Sequence, residues 1–334
     1  MTDLPDREPG AGAPAAGDVR PRPSTFSLEG RAVPALYLVG WVGSIMGLTA
    51  VIVSFLATGS AAAPWVFLAG LLVLTVGLVS AAGSQAVERG RRPDLAYRGP
   101  SPVLVLVVVI ALTLVAVLVV LAPLSALGLD PRSPLATALS LLVTTGVYVA
   151  VLRLLVVGPG ALSWGEMGLR APLPDAVRDL VLGGFLAVPV LGVTLVVGGL
   201  LARFVEPAPS VLPESVDSLA LFANLASAAI LAPIGEELFF RGFATTAWMR
   251  VVGARSAILR GAVFFAIAHV VTLADVSFAT GVQRALFSFL VLLPVGLALG
   301  WVFLARRSLY AAIGLHAAFN GLQVLALFAA GQAV

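Results

Sequence analysis

From Val103 to Leu121 the chain runs without a single charged residue and with one hydroxyl, Thr113. A helix of that length rises about 29 Å at about 1.5 Å per residue, close to the roughly 30 Å of hydrocarbon in a bilayer. Inside lipid the backbone has no water to bond, so only helices and closed β-barrels cross it. A barrel strand alternates apolar and polar residues over about ten positions, and this run does not alternate. It therefore predicts a membrane helix, and similar runs recur along the chain. Of 334 residues 60% are hydrophobic and 11% charged, against about 45–50% and about 25% in soluble domains. A water-soluble globular enzyme and a disordered protein are both excluded. The expected fold class is all-α, a polytopic transmembrane helical bundle.

Nine spans are expected, at 33–57, 64–84, 102–128, 135–157, 180–203, 219–240, 257–275, 285–305 and 309–330. An eight-span arrangement with one segment re-entrant is the alternative. Residues 1–30 are rich in Pro, Gly, Ala, Asp and Arg and lack the apolar stretch of a signal peptide; they read as a disordered cytoplasmic tail. Residues 31–205 form an N-terminal transmembrane region of unassigned role, and 206–334 a catalytic transmembrane core. Every basic residue is arginine. Arg89, Arg91, Arg92 and Arg98 follow the second span, Arg170 and Arg178 the fourth, Arg250 and Arg255 the sixth, Arg306 and Arg307 the eighth. The intervening loops are poorer in arginine, and 204–218 carries Glu206, Glu214 and Asp217 with none. The positive-inside rule then places the chain in the cell membrane with the N-terminus cytoplasmic and the C-terminus outside. Arginines in such loops are membrane-edge anchors, so the net charge of +3 does not argue for nucleic acid. The absence of cysteine excludes disulfides, thiolate zinc sites and a cysteine nucleophile. The segment Ser163–Arg170, with Trp164, reads as an interfacial stretch without chemistry.

An ionisable residue at membrane depth costs roughly 2.5–3.5 kcal/mol on insertion scales and marks a functional candidate. Scanning for these isolates the last third of the chain. In the sixth span Glu237 and Arg241 stand four apart with the acid first, the favourable orientation for an ion pair on a helix. Glu236 lies about 100° around the axis and is left with a free role. Pro233 and Gly235, just before, can kink the helix. The two histidines of the chain, His269 and His316, both lie in apolar runs, and Asn320 and Gln323 extend a polar stripe from His316. Counted from the arginines at about 1.5 Å per residue, His269 lies ~14 Å from Arg260, His316 ~14 Å from Arg307 and Glu236 ~21 Å from Arg250. The groups thus share a depth although their helices alternate in direction. A carboxylate beside an imidazole can take a proton from water, and His and Asn can donate to a developing oxyanion. The alternative is a divalent metal such as zinc held by Glu236, His269 and His316, although no HExxH zinc signature is present.

At these residues the chain resembles the CPBP family of intramembrane proteases, which includes type II CAAX prenyl endopeptidases and bacteriocin-processing or self-immunity proteins. The family motifs EExxxR, FxxxH and HxxxN read here Glu236-Glu237-Leu-Phe-Phe-Arg241, Phe265-Ala-Ile-Ala-His269 and His316-Ala-Ala-Phe-Asn320, in the family order. The resemblance covers about residues 215–330. It implies an intramembrane endopeptidase acting on a peptide or protein substrate within the bilayer. It also implies Glu236 as general base assisted by His269, His316 and Asn320 as oxyanion partners, Glu237 and Arg241 as a supporting ion pair, and Phe265 as a packing residue. The family is often labelled metalloprotease, and a metal-independent glutamate mechanism is also proposed for it. Two other classes stay open. One is a proton-coupled transporter relaying protons through Glu236, His269 and His316; the missing internal repeat counts against it. The other is a catalytically idle membrane scaffold or immunity protein.

Overall fold

A computed structural model describes residues 26–28, 31–57, 59–170, 172–208, 212, 215–270 and 278–332. Most of the expected N-terminal tail lies outside them. Among the described residues nine long helices form the protein: α1 (Pro34–Leu56), α2 (Ala63–Gly90), α3 (Pro102–Ala126), α4 (Pro134–Val157), α5 (Leu173–Leu201), α6 (Ser218–Val252), α7 (Ala254–Val270), α8 (Phe278–Arg306) and α9 (Leu309–Gly331). Besides these there is a two-residue antiparallel pairing of Ser27–Leu28 with Arg31–Ala32. Eight of the nine helices are long and apolar enough to cross a membrane. The ninth, α7, has 17 residues, about 25 Å at ~1.5 Å per residue; its expected continuation to 275 lies outside the described residues. Large apolar side chains such as Trp41, Phe55 and Phe185 stand more than half exposed on the outer faces. That surface suits lipid and not water, and the molecule is a multi-pass membrane protein.

The helices outrun the apolar spans at several ends. α5 begins at Leu173 and contains Asp175, Arg178 and Asp179; α6 continues past Phe240 to Val252. Hydropathy marks where lipid contact ends, whereas the backbone ladder continues as long as nothing breaks it, and the charged turns serve as caps and anchors. Asp179 shows this use: its buried carboxylate accepts from Arg306 Nε (3.1 Å) and Nη2 (2.7 Å), tying the start of α5 to the end of α8.

α1 packs chiefly on α2. α5 packs along α9, the helix that carries His316. The two axes approach so closely that a methyl group on Gly314 would sit 2.1 Å from the Leu180 carbonyl oxygen, and one on Gly183 2.1 Å from that of Ala311. Only glycine fits at such a crossing, as is usual where membrane helices meet without a hydrophobic driving force between them.

The segment before α5 does more than lie at an interface. Leu162 and Met167 are buried, Arg250 donates to the Ala161 carbonyl and to Glu166, and the Gly168 carbonyl accepts the backbone N–H of Leu309 at 3.1 Å. It thereby joins the end of α6 to the first residue of α9. Hydrogen bonds from the Ser163 hydroxyl and backbone, together with Arg250, outweigh desolvation and hold the Glu166 carboxyl below its ordinary range.

Candidate active site

α6 is not a uniform α-helix. Its turns widen to π geometry over Leu225–Leu231 and again over Leu238–Thr245, flanking a short α stretch, Ala232–Glu237. Pro233 lacks an N–H and cannot continue the ladder, and it stands just after the first wide turn. In the second, the hydroxyls of Thr245 and Thr246 bond the carbonyls five residues back, Phe240 (2.8 Å) and Arg241 (3.4 Å). Wide turns of this kind interrupt helices mostly at functional sites. All eight residues from Leu238 to Thr245 are buried, so this part of α6 runs through protein on every side.

The two adjacent carboxylates have different fates. Glu237 is fully buried, 0% exposed, and its Oε1 accepts from Arg241 Nη1 at 2.8 Å and from His316 Nδ1 at 2.7 Å. Its Oε2, like Oε2 of Glu236, is buried with no hydrogen-bond partner among the described residues. The guanidinium of Arg241 also reaches the Gly296 carbonyl (3.4 Å) and stacks 4.4 Å over the Phe265 ring. Glu236 is 21% exposed and faces both imidazoles: its Oε2 lies 3.6 Å from His269 Nε2 and 3.9 Å from His316 Nε2. The carboxylate that the i,i+4 spacing leaves free is therefore the one that faces both imidazoles.

Hydrogen bonding fixes both histidine tautomers. A carbonyl oxygen only accepts, so His269 Nδ1, 2.8 Å from the Phe265 carbonyl, carries the proton there. His316 Nδ1 likewise donates to the Glu237 carboxylate that Arg241 neutralises. In each neutral ring Nε2 then presents a lone pair toward Glu236. Phe265 keeps the rings in place, its centroid 4.3 Å from that of His269 and 5.8 Å from that of His316.

Asn320 stands apart. Its Nδ2 donates to the Ala228 carbonyl at 2.9 Å, joining α9 to the first wide turn of α6, and that bond takes one of its two N–H groups. Gln323 bonds the Phe319 carbonyl of its own helix. The structure thus brings Glu236, Glu237, Arg241, His269 and His316 together, while the contact made by Asn320 falls two turns earlier on α6. Sequence reasoning did not single out Tyr148 of α4, whose ring packs against Gly235 and Phe239 beside the Glu236 turn. A lone tyrosine in an apolar span carries no signal of its own.

The proposed ligands Glu236, His269 and His316 converge, but among the described residues no group of three His, Asp or Glu side chains has the geometry to hold a metal ion.

These observations define a class: a polytopic helical membrane protein with a buried carboxylate–imidazole cluster built from α6, α7 and α9. Residues 218–322 match the family model of Rce1-like type II CAAX prenyl endopeptidases. The match spans all three motifs, supports the resemblance to the CPBP family, and supports an intramembrane CAAX-type peptidase in general terms. Neither the curated proteins nor the solved structures gave a match.

Proposed function

We propose that the protein is an intramembrane endopeptidase in which Glu236 activates water against a peptide bond held among α6, α7 and α9. One observation carries this reading: Glu236, the less buried of the two glutamates, turns its Oε2 toward two imidazole nitrogens, at 3.6 and 3.9 Å, whose other nitrogens are committed elsewhere. Those separations exceed a direct hydrogen bond, so the carboxylate is not spent on either ring. Glu236 takes one proton from the water while the oxygen bonds the carbonyl carbon, and the carbonyl electron pair moves to oxygen. In its imidazolium form, with the second proton taken from solvent before the step and kept on nitrogen throughout, His316 Nε2 donates to that oxyanion while Nδ1 stays on Glu237. Collapse re-forms the carbonyl and breaks the C–N bond, and the proton on Glu236 passes to the leaving amine with His269 Nε2 assisting. No step runs through a metal ion.

The substrate would be a membrane-associated or secreted peptide or protein, cleaved at the depth of Glu236. The arginine-bearing helix ends would face the cytoplasm. The test is purified protein in liposomes with a peptide library, comparing wild type with Glu236→Gln. Cleavage by wild type alone, persisting in chelator, is the expected result. Proton flux dependent on Glu236 without any cleavage would replace this reading with a proton relay.

A further inference from the structure

We propose that Tyr148 is a further catalytic residue of this site, its phenol O–H hydrogen-bonding the oxyanion formed when Glu236 activates water; this rests on the peptidase reading above. The residue lies on α4, outside the segment that matches the family model.

Four observations bring its ring to the Glu236 turn. First, α4 comes up against the Glu236 turn at a point where only glycine fits: a methyl group on Gly235 would lie 2.9 Å from Tyr148 Cδ2 and 3.3 Å from Thr145 Cα. The side chain before Glu236 is thus deleted to admit this ring. Second, the contact is fixed from both sides. Thr145, one turn earlier on the same face of α4, donates to the Leu231 carbonyl at 2.9 Å, and the Tyr148 ring meets Phe239 at 5.4 Å between centroids. Third, Tyr148 stands nine residues before Val157, where α4 ends on the arginine-bearing side. That is ~14 Å at ~1.5 Å per residue, the depth at which His269 and His316 lie. Fourth, Tyr148 and Glu236 are close enough to interact electrostatically.

The donor inventory gives the phenol its role. His316 Nδ1 is committed to Glu237, His269 Nδ1 to Phe265, and one N–H of Asn320 to Ala228. A tetrahedral oxyanion is stabilised best by two preorganised donors, and His316 Nε2, which faces Glu236 from α9 and donates in the imidazolium form, is one. α4 brings the Tyr148 ring against Gly235, the residue before Glu236, and the neutral O–H of that ring is assigned as the second donor. Tyr148 is half-buried, and its hydroxyl has no hydrogen-bond partner among the described residues. A neutral donor also suits a place beside a carboxylate, because it adds no charge that would neutralise the base.

The experiment compares wild type, Glu236→Gln and Tyr148→Phe in liposomes. Tyr148→Phe keeps the ring against Gly235 and Phe239 and removes only the hydroxyl. Loss of one oxyanion donor typically lowers kcat by about 10²–10³-fold; a fall of at least tenfold is expected, with KM and thermal stability unchanged. A peptide aldehyde, whose hydrate presents the tetrahedral oxygen, should lose affinity for Tyr148→Phe while the uncleaved substrate amide does not. Wild-type kcat and aldehyde affinity in Tyr148→Phe would overturn the proposal and leave the peptidase reading standing. Equal cleavage by wild type and Glu236→Gln would overturn both.

Discussion

His316 Nδ1 donates to the same Glu237 oxygen that Arg241 holds, at 2.7 and 2.8 Å respectively. One buried carboxylate therefore serves two cations or dipoles at once, and the second glutamate of the pair sets the tautomer of a histidine on another helix. Its neighbour Glu236 is kept out of that arrangement and faces the Nε2 side of the ring.

The tautomers can be read directly. The chain has only two histidines, so ¹⁵N-histidine labelling with single His→Gln variants assigns both rings. At a pH where the rings are neutral both should carry the proton on Nδ1, and Glu237→Gln should alter the His316 signal alone. An Nε2–H tautomer at His316 would contradict the geometry.

Breaking the buried pair from one side leaves a charge uncompensated, which costs about 3–5 kcal/mol. Arg241→Leu should therefore lower the unfolding temperature in detergent severely. Arg241→Lys should fall between, since an ammonium offers a point contact in place of the planar fork that stacks on Phe265. The double variant Glu237→Leu/Arg241→Leu should lose less than the two singles combined. Strict additivity would mean the two residues are not coupled.

The α5–α9 crossing predicts that size at Gly314 is felt at the site. Its added methyl would press on the Leu180 carbonyl at 2.1 Å, and overpacking of this kind costs about 1–3 kcal/mol. Gly314→Ala should destabilise by that amount and also reduce activity, because His316 lies two residues on. Cleavage and unfolding assays run side by side test it; an unaltered Gly314→Ala protein would show that the helices part freely.

Acid should release the Glu166–Arg250 contact. The folded carboxyl is held low by the Ser163 hydrogen bonds and Arg250, against desolvation. A depressed folded pKa contributes stability that is complete above the unfolded value of about 4.3 and is lost as pH falls through the folded value. The pair is partly exposed, so the contribution stays at or below about 1 kcal/mol. Wild type should melt slightly above Glu166→Gln at pH 7, with the gap narrowing as pH falls below the ordinary carboxylate range. A gap that widens on acidification would reverse the sign.

The spans were readable because a bilayer imposes length and apolarity residue by residue, as Val103–Leu121 shows. The Glu237–Arg241 pair was readable because helix geometry alone brings positions four apart onto one face. His269 and His316 stood out because an imidazole in an apolar run is costly to place. The helix ends around Asp179 and Val252 were not legible, since capping and anchoring charges look like loop residues to a hydropathy pattern. Nor could the partner of Asn320 be read: a carboxamide bonds whichever carbonyl the neighbouring helix presents, and here that is Ala228.

The sequence by itself determined a bundle of membrane helices and the residue types that could do chemistry at depth, because both follow from transfer energies and local periodicity. Which carboxylate faces the imidazoles, how Glu237 orients His316, and that Tyr148 of α4 and the glycine crossing of α5 border the site were decided only by tertiary structure. Those relations join residues 79 to 127 positions apart in the case of Glu237–His316 and Asp179–Arg306, and no local pattern encodes the packing that brings them together.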